Sequence, residues 1–242
     1  MINFFRKIRR KLADDNKPLK YMRYAIGEIV LVVIGILIAL QINNWNEENK
    51  LAIKELNLLE ELRANLQTNV ENLEKDIEKQ TQSIFYFKYI MALADQKKPY
   101  NDSIPNALHI ANYAPDVILT ASAFETFKSA GLDIIQTDSL RREILTLFEV
   151  TYPTLMQETK RLEDQLWPAV VIPLYQKHFT NENENWIPND YERWLKDKEF
   201  FNMLSFRRSL REQSTLLKIK TTKQTTEVIQ LIEKELNSRK IK

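Results

Sequence analysis

Tyr24-Ala-Ile-Gly-Glu-Ile-Val-Leu-Val-Val-Ile-Gly-Ile-Leu-Ile-Ala-Leu-Gln-Ile-Asn-Asn-Trp45 is the stretch from which the rest of the chain is read. Its continuous apolar run, Ile29 to Leu40, is twelve residues long. Taken alone, that length suits a buried core helix or the apolar part of a signal peptide. The whole stretch is 22 residues, roughly 33 Å of helix against a hydrocarbon core of about 30 Å. Tyr21 and Tyr24 stand at one end and Trp45 at the other, the places where interfacial aromatics sit. Leu40-Gln41-Ile42-Asn43 offers no small-x-small cleavage site. The sequence therefore predicts an uncleaved signal anchor, a transmembrane helix over residues 21–46.

Charge sets the orientation. Residues 1–23 carry eight Lys/Arg against Asp14 and Asp15, whereas the chain after Glu28 carries 27 Lys/Arg against 30 Asp/Glu. The overall charge of +2 thus sums a basic arm and a mildly acidic remainder. Lys/Arg bias keeps the arm, residues 1–20, in the cytoplasm and sends residues 47–242 across the membrane. In a Gram-negative cell that is the inner membrane, with the larger domain periplasmic. Within the arm, Ile2, Phe5, Ile8 and Leu12 recur at helical spacing. A basic amphipathic helix results, whose Phe4, Phe5, Arg6, Lys7, Arg9, Arg10 and Lys11 are expected to contact the membrane surface. A nucleic-acid arm has the same charge pattern. The adjoining span favours lipid, so a lipid bilayer and no nucleic acid is the expected partner.

The segment from Tyr24 to Glu48, preceded by Phe4-Phe5-Arg6-Lys7-Ile8-Arg9, resembles the start of a family of uncharacterised bacterial single-span membrane proteins. Ala123-Phe-Glu-Thr-Phe-Lys-Ser-Ala-Gly131, followed by Leu140-Arg141, is similar to that family's second recurring segment, with Ala130 where many members carry serine. The resemblance implies an anchored protein with a helical outer domain and implies no activity.

Three glycines in 242 residues exclude clustered-glycine phosphate loops, and the absence of cysteine excludes disulfides and thiolate zinc sites. Frequent β-turns are equally unlikely, so the fold class is all-α. No glycine or proline falls between Gly35 and Pro99. Apolar residues there recur near 3.6 (Leu59, Leu62, Leu66, Val70, Leu73, Ile77, Ile84, Phe87, Met91), predicting a long amphipathic helix over about 47–94. The pattern wavers at Asn69, Asp76 and Gln80, which argues against a strict coiled coil.

Beyond it the sequence predicts a short helix at 104–112 and a capping box at Ser122–Glu125. Gly131 reads as a helix stop, and a further helix begins at Asp138 or Ser139. That helix runs on to about Leu166, with Pro153 starting or kinking it, and Trp167-Pro168 to Pro173 reads as a kink or break. Thr180–Asn189 reads as a polar loop. Asp190 caps a short helix, and a second long helix covers about 197–238. Two long helices that cannot bury their stripes alone predict an elongated antiparallel bundle completed by several short helices.

Motifs for chemistry are missing. Neither His109 nor His178 belongs to a His-Glu-x-x-His or Glu-x-x-His pattern, and no activated-serine motif occurs. No cofactor or metal is expected, and both histidines read as ordinary surface or core residues. The aromatic cluster Trp167, Tyr175, Trp186, Tyr191, Trp194, Phe200 and Phe201 reads as core before it reads as a pocket. Glu28 is the anomaly of the span, because a carboxylate in hydrocarbon is costly. Gly35 and Ala39 lie seven and eleven residues on, within about 20° on the helical wheel. Small residues allow close approach and polar groups tie spans together. This face is a candidate for homo-oligomer packing or for docking another envelope protein's span; the alternatives are that Glu28 snorkels to pair with Arg23 or Lys20, or that it handles protons or ions.

Together these features predict a non-enzymatic, membrane-anchored scaffold or interaction protein. A ligand-sensing ectodomain signalling through a partner is the competing expectation.

Overall fold

The computed structural model describes residue 7 and residues 18–112, 117–160, 163–183 and 185–240. Most of the basic arm, including Phe4, Phe5, Arg6, Arg9, Arg10 and Lys11, lies outside the described residues. Lys7 is helical and exposed. The chain divides into two compact units, Met1–Lys54 and Glu55–Lys242.

Helix α1 runs over Pro18–Asp95 and contributes to both units. It starts on a proline, which is tolerated in a first turn where the missing N–H has no partner anyway. The absence of internal Gly or Pro after residue 35 removes the usual reasons to stop. In the first unit its apolar residues are uncovered: Leu31, Leu37, Ile42 and Trp45 are each more than half exposed. In the second unit the side chains of Leu59, Leu62, Leu66, Leu73, Phe87, Ile90 and Leu93 are fully buried at three- and four-residue steps.

The second unit is all-α apart from one small hairpin. Helix α2 is Ile104–Asn112 and α3 is Ser122–Ala130. A 3₁₀ turn follows at Leu132–Ile134, then α4 at Asp138–Thr146 and α5 at Tyr152–Lys160. Helix α6, Glu163–Leu166, and α7, Ile172–His178, precede hairpin strands β1, Phe179–Glu182, and β2, Asn185–Pro188. Short α8, Tyr191–Leu195, leads to the second long helix α9, Lys198–Lys240. Ion pairs Glu55–Arg239 and Asp76–Lys218 set α9 antiparallel to the Glu55–Asp95 part of α1.

One small cluster, Leu73 with Val117 and Leu155, and two large apolar cores fill this bundle. One gathers Leu58, Leu59, Leu62 and Leu66 of α1 with Phe124, Phe127, Ile144, Leu147, Val228, Ile232 and Leu236. The other gathers Phe87, Ile90 and Leu93 with Leu108, Tyr175, Trp194, Phe200 and Leu204. They are called here the Leu62 block and the Trp194 block. At about 1.5–3 kcal/mol per large apolar side chain removed from water, each block is a main source of stability.

Several local expectations hold. Asp190 caps α8 by accepting from the Arg193 N–H at 3.0 Å. Gly131 ends α3 with φ +93°, where a Cβ would fall 2.6 Å from Asp133 Oδ1. Others are corrected. No Ser122 capping box forms, because α3 begins one residue earlier than the box requires and Ala121 stands at its N-cap. Asn65 of α1 serves instead, accepting from the Ala123 N–H (3.0 Å) and the Ser122 hydroxyl (2.8 Å).

Residues 180–189 are not a loop. They supply most of the antiparallel hairpin, in register Phe179↔Pro188 through Glu182↔Asn185. Asn183 takes the positive φ of its two-residue turn (51°), a conformation asparagine tolerates. Nor does the helix break at Trp167–Pro173. Widened π-helical turns occupy Leu147–Thr151 and Trp167–Val171, each ending two residues before a proline, Pro153 and Pro173. A proline ring clashes with the carbonyl four residues back and cannot donate to it. The wider turn accommodates both defects without ending the helix.

Candidate functional site

The span face comes first. Glu28 is half-buried and engaged in a polar interaction, whereas Gly35 and Ala39 are exposed. A Cβ built on Gly35 meets no described atom within 4 Å, so backbone is open to close approach there. Tyr21 and Tyr24 lie on α1 with side chains outside the description, and Trp45 is 64% exposed.

The sequence did not reveal the second site, a polar seam between the two apolar blocks. Over residues 69–83 of α1 the inward positions hold Asn69, Asp76, Gln80 and Ser83 around a single leucine, Leu73, all buried. Opposite them α9 buries Arg207, Arg211, Thr215, Lys218, Thr221 and Thr225. These residues keep the three- and four-residue spacing of the flanking leucines. The helices stay in phase while the chemistry of the stripe changes.

Most members are held by specific bonds. Asp76 and Lys218 form an ion pair with both side chains at most 5% exposed. Arg211 Nη1 donates to Gln80 Oε1 at 2.9 Å, and Ser83 Oγ donates to the Ala111 carbonyl at 2.7 Å. Asn69 brackets the backbone of Thr120, accepting from its N–H (2.7 Å) and donating to its carbonyl (2.9 Å). Tyr152 bridges the two long helices, 3.4 Å from Asn69 Nδ2 and 3.1 Å from Thr225 Oγ1. Burial raises the Tyr152 pKa above its ordinary value, against the opposing bonds to Thr225 and Asn69.

At the end nearest the Trp194 block, Arg207 is fully buried between two rings, 5.4 Å from Phe87 and 5.1 Å from Trp167. Its Nη1 donates to Asn112 Oδ1 at 2.6 Å. A planar guanidinium stacks on aromatic faces where an ammonium cannot. Burial pushes the neighbouring Tyr175 phenol up to about 12, outweighing the Arg207 charge and Asn112. The aromatic cluster otherwise behaves as core: Tyr175, Trp194 and Phe200 are buried in edge-to-face and tilted contacts with Phe179.

His178 is a satisfied core residue, its Nε2 2.7 Å from Asp197 Oδ2. The same oxygen accepts from Lys177 at 2.6 Å, while Oδ1 caps α9 through the N–H groups of Glu199 and Phe200. Desolvation pulls the Asp197 pKa upward, but the bonds from Lys177, Phe200 and His178 hold it well below the usual carboxylate range. His109 lies on α2 and is also engaged. Among the described residues no group of three or more His, Cys, Asp or Glu converges as a metal site.

The deviation at Asn69, Asp76 and Gln80 was the sequence signal of the seam. It reads as a flaw in an apolar stripe until the matching polar positions of α9 are seen opposite.

Among the described residues, an all-α bundle with one helix long and apolar enough to cross a membrane defines the class of protein. A model of a family of unknown function (DUF6090) matches residues 28–206, and the chain belongs to that family. No curated protein and no solved structure matches it.

Proposed function

We propose that this protein is a single-pass, membrane-anchored, non-enzymatic scaffold or interaction protein of the bacterial envelope. The observation that carries the reading is the uncovered apolar surface of α1 from Ile29 to Trp45. A helix satisfies its own backbone, so a helical surface this apolar is at home in hydrocarbon. Contiguous apolar area of that extent is rare on a protein facing water. The basic arm supports a cytoplasmic N-terminus and a periplasmic bundle. The missing catalytic motifs support a role in binding.

Self-association through Glu28, Gly35 and Ala39 belongs to this reading, supported by the open backbone at Gly35. Lipid is the first partner, and a second copy or another envelope protein's span is the next. Reporter fusions after residue 60, combined with alkaline extraction of membranes, test the anchor and its direction. Activity from a periplasm-dependent reporter is expected; activity only from a cytoplasmic reporter overturns the orientation. In-membrane crosslinking of Glu28→Gln and Gly35→Leu tests the face, and unchanged oligomer yield in both rejects it.

The buried polar seam favours a second reading, a ligand-sensing ectodomain that signals through a partner. Polar layers stabilise a bundle less than apolar ones and suit a fold with two close-lying arrangements. A small molecule that raises the melting temperature of the full chain supports this reading over the first.

A further inference from the structure

Several features of the seam point to one behaviour. Two of its α9 hydroxyls bond within their own helix, Thr215 to the Arg211 carbonyl and Thr225 to the Thr221 carbonyl, both at 2.8 Å, and of the two only Thr225 also reaches across, to Tyr152. The bonds within the helix do not tie α9 to α1. The Thr221 hydroxyl is buried with no hydrogen-bond partner among the described residues, a group that water would satisfy. The Asp76–Lys218 ion pair and the Gln80–Arg211 hydrogen bond link the long helices here, and apolar packing is limited to the small cluster of Leu73 with Val117, Leu155 and Leu217. The flanking blocks, by contrast, are held by large apolar side chains, whose exposure to water is unfavourable everywhere along them.

We propose that the seam is a hydration hinge. It opens to water and closes again while both apolar blocks stay packed, and the Asp76–Lys218 pair is the catch that holds it shut. Local opening takes place where buried apolar contact is least, and opening here exposes groups that water solvates well. The ion pair dominates because separating two buried charges without rehydrating them is strongly unfavourable. Once water enters, that opposition falls, so the catch gives the opening a threshold. The hinge stands independently of the membrane reading, since every group in it belongs to the Glu55–Lys242 unit.

The chain has no cysteine, so single introduced thiols report on it without background. The experiment measures modification by a charged maleimide on the full chain in detergent. Thr221→Cys probes the seam, Ala123→Cys the Leu62 block and Ala107→Cys the Trp194 block; all three sites are buried. The hinge requires the residue 221 thiol to react at least about tenfold faster than the other two. Equal rates at the three sites overturn it.

Adding Asp76→Asn should speed the reaction at 221 by about a further tenfold and leave 123 and 107 unchanged. A parallel rise at all three sites means one cooperative unit and overturns the hinge; no rise at 221 overturns the catch. The charge-swapped double variant, Asp76→Lys with Lys218→Asp, should return the rate toward that of Thr221→Cys alone. A swapped pair that stays as reactive as Asp76→Asn also rejects the catch. If Asp76→Asn fails to fold, the comparison of the three sites in the otherwise native chain still decides the hinge.

Discussion

The two parts of α1 use similar residues to opposite ends. Between Ile29 and Leu40 the helix is apolar on every side and its side chains are uncovered. Between Glu55 and Leu93 its apolar residues fall on one stripe, interrupted by polar positions, and that stripe is sealed. Leucine and isoleucine are common to both, so residue type does not separate them. Periodicity does: an all-round pattern calls for hydrocarbon, and a 3.6-residue stripe calls for a partner helix. A substitution should therefore act on folding in one part and on membrane insertion in the other.

The largest effect is expected in the sealed part. Trp194→Ala should lower the unfolding free energy of the bundle by about 3–5 kcal/mol, read by denaturant titration of the full chain. A loss below about 1 kcal/mol would mean that the Trp194 block is not a packed core. Next, Val33→Arg should disfavour insertion by about 2.5–3.5 kcal/mol. The protein should shift from the membrane to the soluble fraction, with the melting temperature of the bundle unchanged. If that melting temperature falls as well, the uncovered apolar surface also supports the bundle and the contrast fails.

Smaller effects sharpen the comparison at the beginning of the sealed part. Glu55 is fully buried and accepts from Arg239 Nη1 (2.7 Å) and from the Gln136 N–H (3.0 Å). Arg239→Gln leaves that carboxylate short of a partner and should destabilise the bundle by about 1–3 kcal/mol. Glu235 shares the same guanidinium, so the substitution leaves two neighbouring carboxylates without their common cation.

The smallest effect is a matter of pH. Asp197 has a depressed folded pKa, so its stabilisation is present above the ordinary carboxylate value near 4. It is lost as pH falls from there through the folded pKa. The melting temperature should therefore drop on acidification below about pH 4. In Asp197→Asn, which keeps the capping oxygen but not the charge, that drop should be shallower. Parallel curves for the two proteins would show that the Lys177 and His178 contacts contribute nothing.

What could be read in the sequence follows the range of the forces involved. Helix α2, the stop at Gly131 and the cap at Asp190 are set by neighbours within four residues, and those limits were legible. The hairpin was not, because Asn181, Glu182, Asn183 and Asn185 have low strand propensity. Its register rests on the Asn183 turn and on burial of Phe179, the second of which is a tertiary effect. The cap on α3 comes from Asn65, 58 residues away from Ala123. In the seam, Asp76 and Lys218 stand 142 positions apart. Each is an ordinary charged residue on a helix until the antiparallel register brings them together.

The widened turns before Pro153 and Pro173 have a consequence for how this chain tolerates change in length. A π-turn holds one residue more than an α-turn closing the same gap, so each is a phase shift of about 100° written into the helix. Deleting a single residue within Leu147–Thr151 would bring that turn back to ordinary α geometry. Tyr152 and Leu155, which now point into the bundle, are positioned with the extra residue in place. Length here is coupled to direction: the helix can lose a residue at its exposed ends with little effect, but inside a widened turn the loss would turn everything beyond it to face another way.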